Sequence, residues 1–217
     1  MSVSESWLND KINDNVIAID GYEVIRHDRV GRLGGEVLMY IKTGNKFNVL
    51  KKSTHEIGVI TTEFIAVEVT FHHNKLLIIS LYNPPGLDCS DLLNELLSDF
   101  SPNHENVFLL GDFNTNILET TACKAIRFLN TLTTYSMSNL GCEPTFFHRN
   151  GASQLDLIIT NNPSKVLRIT RANANGAQRT NAVHEWTSFR SAGPKRVPFL
   201  VHLGPEPDQC GTKTDQV

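Results

Sequence analysis

Short apolar runs separated by polar breaks set the plan of this chain. Val37-Leu38-Met39-Tyr40-Ile41 is unbroken and predicts a strand introduced by Gly34-Gly35. Phe64-Ile65-Ala66-Val67-Glu68-Val69-Thr70-Phe71 alternates and is rich in β-branched residues, which predicts a second strand. His72-His73-Asn74-Lys75 is a polar turn, and Leu76-Leu77-Ile78-Ile79-Ser80-Leu81-Tyr82 is a more fully buried strand, so the two runs predict a hairpin. Asn83-Pro84-Pro85-Gly86 stops the chain sharply. Ser90 then offers a cap to a helix with Leu92, Leu93, Leu96, Leu97 and Phe100 on one face, closed by Ser101-Pro102-Asn103. Val107-Phe108-Leu109-Leu110 predicts a buried strand that runs into Gly111-Asp112-Phe113-Asn114. A second helix over residues 119–135 places Cys123, Ile126, Leu129 and Leu132 at helical spacing. Leu155-Asp156-Leu157-Ile158-Ile159 is a strand with an acid inside it, Asn161-Asn162-Pro163 a turn, and Val166-Leu167-Arg168-Ile169 the last clear strand.

After Arg171 the periodicity stops. Residues 1–170 therefore read as the folded domain and 171–217 as a poorly ordered tail. Strands outnumber helices and the two are interleaved, with no internal repeat. That pattern predicts an α/β fold of two packed sheets with helices outside.

Composition changes this picture little. The chain of 217 residues is 40% hydrophobic and 20% charged, ordinary globular values. Its longest apolar runs fall far short of the ~18–20 residues of a membrane span. Met1-Ser2-Val3-Ser4-Glu5 lacks the basic and apolar regions of a signal peptide, so an intracellular location, nucleus or cytoplasm, is expected. Cys89, Cys123, Cys142 and Cys210 are too scattered for a zinc site or a disulfide framework. Charge is uneven: residues 61–160 hold eleven acidic and four basic residues. Such an acidic centre is no general nucleic-acid surface, yet it is compatible with a carboxylate-built divalent-metal site.

The candidate chemistry centres on Gly111-Asp112-Phe113-Asn114. Side chains two apart on an extended chain share a face, so Asp112 and Asn114 are expected to converge at the carboxyl end of a strand. There an acid and an amide orient a water, contact a phosphate or help hold Mg²⁺. The plain alternative is a turn, which Gly, Asp and Asn all favour. Asp156 is costly inside a buried strand unless it is paired or bonded. Adjacent His72 and His73 read as solvated turn residues.

Further blocks surround this run. They are Ser4-Glu5-Ser6-Trp7-Leu8; Gly21-Tyr22, Arg26-His27-Asp28-Arg29 and Gly31-Arg32-Leu33-Gly34-Gly35; Tyr82-Asn83-Pro84-Pro85; and Pro144-Thr145-Phe146-Phe147 followed by Gln154-Leu155-Asp156. In this order and spacing they resemble the endonuclease/exonuclease/phosphatase superfamily, and within it the endonuclease domain of non-LTR, LINE-type retrotransposons of the jockey-like branch. The resemblance covers residues 3–170. It implies a four-layer α/β sandwich, two mixed β-sheets flanked by helices, that hydrolyses a phosphodiester of DNA with Mg²⁺, or Mn²⁺ in its place. It implies no small-molecule cofactor and no membrane partner, and leaves oligomeric state open. By position, Glu5 matches the family's metal-binding glutamate and Tyr82 the tyrosine that contacts the scissile phosphate. Asp112 matches the aspartate that orients the attacking water, beside the metal. Asn114 matches the amide that positions that aspartate and the phosphate, and also serves the metal. Asp156 matches the acid that orients a catalytic histidine.

The match has gaps. The family's N-terminal strand ending in asparagine would precede Glu5, and its terminal Ser-Asp-His triplet does not occur after Asp156, where the histidines are His184 and His202. Glu36 stands where a third glycine is usual, and Phe146 where an arginine is common. The chain therefore reads as an incomplete sandwich, truncated at both ends, with weakened or absent activity. A non-catalytic remnant with weak nucleic-acid or partner binding is the alternative. A phosphatase or phospholipase acting on inositol phosphates or lipids is a third reading, disfavoured by the Trp7 and Gly34-Gly35 blocks.

Overall fold

The structure is a computed structural model. It describes residues 1–4, 6, 8, 11–28, 36–54, 59–71, 74–141, 143–149, 151–171 and 199–203. In chain order the elements are β1 (Ser2–Ser4), α1 (Asp14–Ile17), β2 (Tyr22–His27), β3 (Val37–Lys42), β4 (Lys46–Lys52), β5 (Glu63–Phe71) and β6 (Asn74–Tyr82). Then follow α2 (Ser90–Phe100), β7 (Asn106–Asp112), α3 (Cys123–Thr134), β8 (Ser138–Asn139), β9 (Phe146–His148), β10 (Gly151–Ser153), β11 (Asp156–Thr160), β12 (Val166–Arg171) and β13 (Phe199–Leu203).

The main sheet has six strands in the order β4-β5-β6-β7-β11-β8. Among the described residues only β6 and β7 run parallel in this sheet, with α2 in the connection between them; the remaining neighbours are antiparallel. The β5–β6 hairpin is in continuous register from Glu63↔Tyr82 to Phe71↔Asn74, and His72 and His73 lie outside the described residues. A three-stranded sheet, β1-β3-β2, packs over part of this one.

Period-two alternation explains how the layers close. One face of the main sheet turns Leu77, Ile79, Leu81, Val107, Leu109, Leu157 and Ile159 towards Leu93, Leu96 and Leu97 of α2 and Phe128 and Leu132 of α3. The other face turns Ile65, Val67, Val69 and Tyr82 towards Ile25, Val37, Met39 and Ile41 of the smaller sheet. Outside that sheet Leu8, Ile17, Leu38 and Tyr40 form a third cluster, thinner than the others. Helices, large sheet, small sheet and this outer covering make the four layers of an α/β sandwich whose second sheet is small.

Three local readings change. Ser90 does not cap α2 with its side chain; Asp88 does that work, its carboxylate accepting from the Ser90 N–H at 2.9 Å and the Ser90 hydroxyl at 2.6 Å. The buried face of α3 is Ala125, Phe128 and Leu132, while Cys123 and Ile126 are exposed. The helix starts at Cys123 rather than 119, and Phe128 docks edge-on against Phe113, ring centroids 5.3 Å apart, which fixes the rotation of the helix. Beyond Arg171, where the pattern predicts no element, β13 pairs antiparallel with β12. Its apolar run is hemmed by Pro198 and Gly204-Pro205 and is too short to stand out by periodicity. Residues 172–198 and 204–217, including His184 and Cys210, lie outside the described residues, as does Cys142.

Candidate active site

The site is built where three neighbouring strands of the main sheet come level. Tyr82, the last residue of β6, is the register partner of Asp112, the last residue of β7. Asp112 is in turn the partner of Asp156, the first residue of β11. Directly opposed residues point to the same face, so one rung carries Tyr82, Asp112 and Asp156 side by side, about 5 Å from strand to strand. All three are buried, Asp112 completely. The Phe113 N–H donates to the Leu155 carbonyl at 2.9 Å, continuing the β7–β11 ladder by one residue. That makes Asp112/Asp156 the closer, non-hydrogen-bonded kind of pair, with Cα atoms about 4.5 Å apart. The Asp156 N–H points the other way and donates to the Thr145 hydroxyl at 3.1 Å, as does the Leu155 N–H at 3.0 Å. Thr145, of the Pro144-Thr145 block, thereby fixes the start of β11.

Asn114 joins the rung by a different route from the one the sequence predicts. The chain is not extended beyond Asp112: Asn114 takes φ +44°, in the left-handed region. The turn brings the amide back onto the acid. Its backbone N–H donates to Asp112 Oδ1 at 3.0 Å and its Nδ2 to Asp112 Oδ2 at 2.9 Å. Turn and convergence, set against each other as sequence readings, occur together, because Asx residues close turns through their own side chains.

Gly111 lets the strands approach. It has φ +140°, and a Cβ there would sit 1.9 Å from the Leu81 carbonyl oxygen on β6. Lys124, from the first turn of α3, donates to the Asn114 carbonyl at 2.7 Å. Burial lowers its pKa, partly offset by Cys89 and Asp88.

Two features of the site had weak sequence signals. Asn83 stood in the Tyr-Asn-Pro-Pro block as a strand stop, yet it is fully buried and bonded to the turn after β7. Glu63, the first residue of β5, pairs with Tyr82 and extends the rung to a fourth strand. Its carboxylate accepts the backbone N–H of Glu36 at 2.6 Å, and both acids are buried. Glu36, at φ +60°, follows the Gly34-Gly35 block, which lies outside the described residues.

The part of the site that the resemblance assigns to a metal is only partly described. Glu5 lies outside the described residues; β1, which precedes it, packs over β6 and β7, with the Ser2 hydroxyl bonded to that of Ser80. Among the described residues no three His, Cys, Asp or Glu side chains form a metal-holding group. The donors on the rung are nonetheless of the right kind. Asp112 and Asp156 are hard oxygen ligands, and Asn114 spends its Nδ2 on Asp112 and Asn83, leaving Oδ1 without a hydrogen bond among the described residues. Mg²⁺ takes one or two protein carboxylates and keeps its waters, so such a set fits it.

Residues 76–181 match the family described as endonuclease-reverse transcriptase. No curated protein matches the sequence. The endonuclease domain of TRAS1, a telomere-specific non-LTR retrotransposon, superposes with a TM-score of 0.53 at 14% identity, over 71% of this chain and 72% of that one. An endonuclease/exonuclease/phosphatase family protein from Leptotrichia buccalis gives 0.61 at 12% identity, over 94% and 86%. The 3′ phosphatase NExo from Neisseria, bound to a product DNA hairpin, gives 0.59 at 12% identity, over 94% and 88%. At these identities the structures speak for the fold, and the matched segment contains β7, β11 and β6 from Leu76 onward, the strands that make the rung. The chain therefore has the fold of the endonuclease/exonuclease/phosphatase superfamily, and just under half of it, residues 76–181, matches the endonuclease-reverse transcriptase family.

Proposed function

We propose that this chain is a divalent-metal-dependent DNA endonuclease domain derived from a non-LTR retrotransposon, with activity below that of a complete family member. The observation that carries the reading is the single rung of Tyr82, Asp112 and Asp156, with Asn114 bonded to Asp112. A phosphodiester is an anion that repels hydroxide, so its hydrolysis needs a held water and neutralised charge. Asp112, its orientation fixed by two bonds from Asn114, is the group to hold and polarise that water. Tyr82 offers a hydroxyl to the phosphate. Asp156, level with Asp112, serves to orient a donor on the far side of the scissile bond. Asp112, Asn114 and Glu5 would hold Mg²⁺ or Mn²⁺, which would supply charge neutralisation and help to the leaving oxygen. DNA as substrate agrees with the names of two structural relatives, a retrotransposon endonuclease and a phosphatase bound to a DNA hairpin.

Reduced activity is part of the proposal because the resemblance implies a Ser-Asp-His triplet after Asp156, and residues 157–217 hold none. A missing general acid–base group costs about 10²–10⁴-fold in rate. The same observation favours a second reading, a non-catalytic relative that binds nucleic acid weakly or not at all.

Nicking of supercoiled plasmid separates the two. The proposal expects slow nicking that requires Mg²⁺ or Mn²⁺, stops with chelator, and falls at least about 10²-fold in Asp112→Ala. Equal background for wild type and Asp112→Ala across metals would overturn it in favour of the non-catalytic reading.

A further inference from the structure

We propose that Asn83 is a positioning residue that holds Asp112, Phe113 and Asn114 in their working arrangement; this rests on the reading of the rung as a hydrolytic site. Asn83 bonds to each of those three consecutive residues. Its backbone N–H donates to the Asp112 carbonyl at 2.8 Å, its Nδ2 to the Phe113 carbonyl at 2.9 Å, and its own carbonyl accepts Asn114 Nδ2 at 2.7 Å. The side chain is wholly buried and spends its hydrogen-bonding groups fully. The second Nδ2 proton goes to the Leu87 carbonyl at 2.8 Å, and Oδ1 accepts the Thr62 hydroxyl at 2.7 Å. The amide can face only one way, since a flipped Asn83 would set its oxygen against two carbonyl oxygens.

The turn needs such a clamp. Gly111 and Asn114 both have positive φ, and the left-handed region costs a non-glycine residue free energy that must be met by specific bonds. Lys124 secures the Asn114 carbonyl from outside, and Asn83 bonds to all three residues from Asp112 to Asn114. Asn83 immediately follows Tyr82, so one short segment carries both a residue of the rung and the residue that aligns the next strand's share of it. Thr62, which bonds the clamp, immediately precedes Glu63, so β5 is tied to the same point.

Asn83→Ser keeps the backbone bonds and removes the side-chain ones. Two readouts are taken: steady-state plasmid nicking with Mg²⁺, and amide exchange by NMR at Asn114, whose N–H is protected through Asp112 Oδ1. The expected result is a fall in kcat of about 10²-fold at unchanged KM, with loss of protection at Asn114 and a cooperative melt retained. A merely structural role would lower the melting temperature and leave kcat and Asn114 protection intact well below it; that result would overturn the proposal. Should Asn83→Ser fail to melt cooperatively, Thr62→Val removes only the outer bond. It is expected to lower both readouts by a smaller factor, and no change in either would equally overturn the proposal. Absence of metal-dependent nicking in wild type would sink the endonuclease reading instead, while the exchange arm still decides the clamp.

Discussion

Gly111→Ala is the sharpest test of the sheet that bears the site. The substitution adds one methyl group at a position where β7 lies against β6 in parallel register, Leu81 opposite Gly111. Two costs arise. The backbone at φ +140° lies where L side chains rarely go, and holding a non-glycine residue in such a region costs about 1–3 kcal/mol. The added Cβ would lie 1.9 Å from the Leu81 carbonyl oxygen and 2.9 Å from its carbon. Those are backbone atoms of a central strand and cannot swing aside, so overpacking adds a further ~1–3 kcal/mol. The sum, about 2–6 kcal/mol, is a large share of the ~5–15 kcal/mol that typically holds a domain together. At roughly 2–4 °C per kcal/mol for a chain of this size, Tm should fall by at least about 4 °C. The assay is a thermal melt followed by circular dichroism, beside wild type in the same buffer. A Tm within about 2 °C of wild type would refute the close β6–β7 approach, since strain and clash together cannot cost so little.

Two further outcomes follow from groups away from the rung. Burial pushes the Cys89 thiol up to about 12, whereas Cys123 is exposed. Iodoacetamide at pH 8 should therefore alkylate Cys123 quickly and Cys89 only on denaturation, as read by peptide mass; equal rates in the folded protein would contradict the core packing around α2. Lys75, with His104, holds the Glu68 carboxyl below its usual range. A lowered acid stabilises fully above its unfolded value of about 4.3 and loses that contribution as pH falls through the folded one. The gap in urea midpoint between wild type and Glu68→Gln should thus be present at pH 6 and close below pH 4, remaining small throughout because water screens the pair; a gap that widens in acid would reverse the sign.

What the sequence revealed and what it hid divide along physical lines. Strands β5, β6, β7 and β11 were legible because layers cover both faces of the sheet at its centre, which lets them be apolar on both faces, so that their runs stand out. β2 and β4 were hidden because they are edges. Tyr22-Glu23-Val24-Ile25-Arg26-His27 and Lys46-Phe47-Asn48-Val49-Leu50-Lys51-Lys52 carry charges where one face meets water, and β4 breaks its own alternation with a bulge between Val49 and Lys51. In the site, Asp112, Asn114, Tyr82 and Asp156 could be named because polar residues at the ends of apolar runs are conspicuous. That they lie on one rung is a fact of register, and register depends on pairings between residues far apart in sequence. Asn83 was passed over for the same reason: beside two prolines it looked like punctuation, and its bonds to residues some thirty positions away leave no local trace.

The shared rung gives the sheet a second meaning. Side chains alternate with a period of two, so a slip of one residue between β6 and β7 would turn Asp112 towards the helices and set Gly111 beside Tyr82. Strand alignment is thus the ruler of the candidate site, and under the proposed function a molecule that folds one residue out of step would be compact but chemically blank.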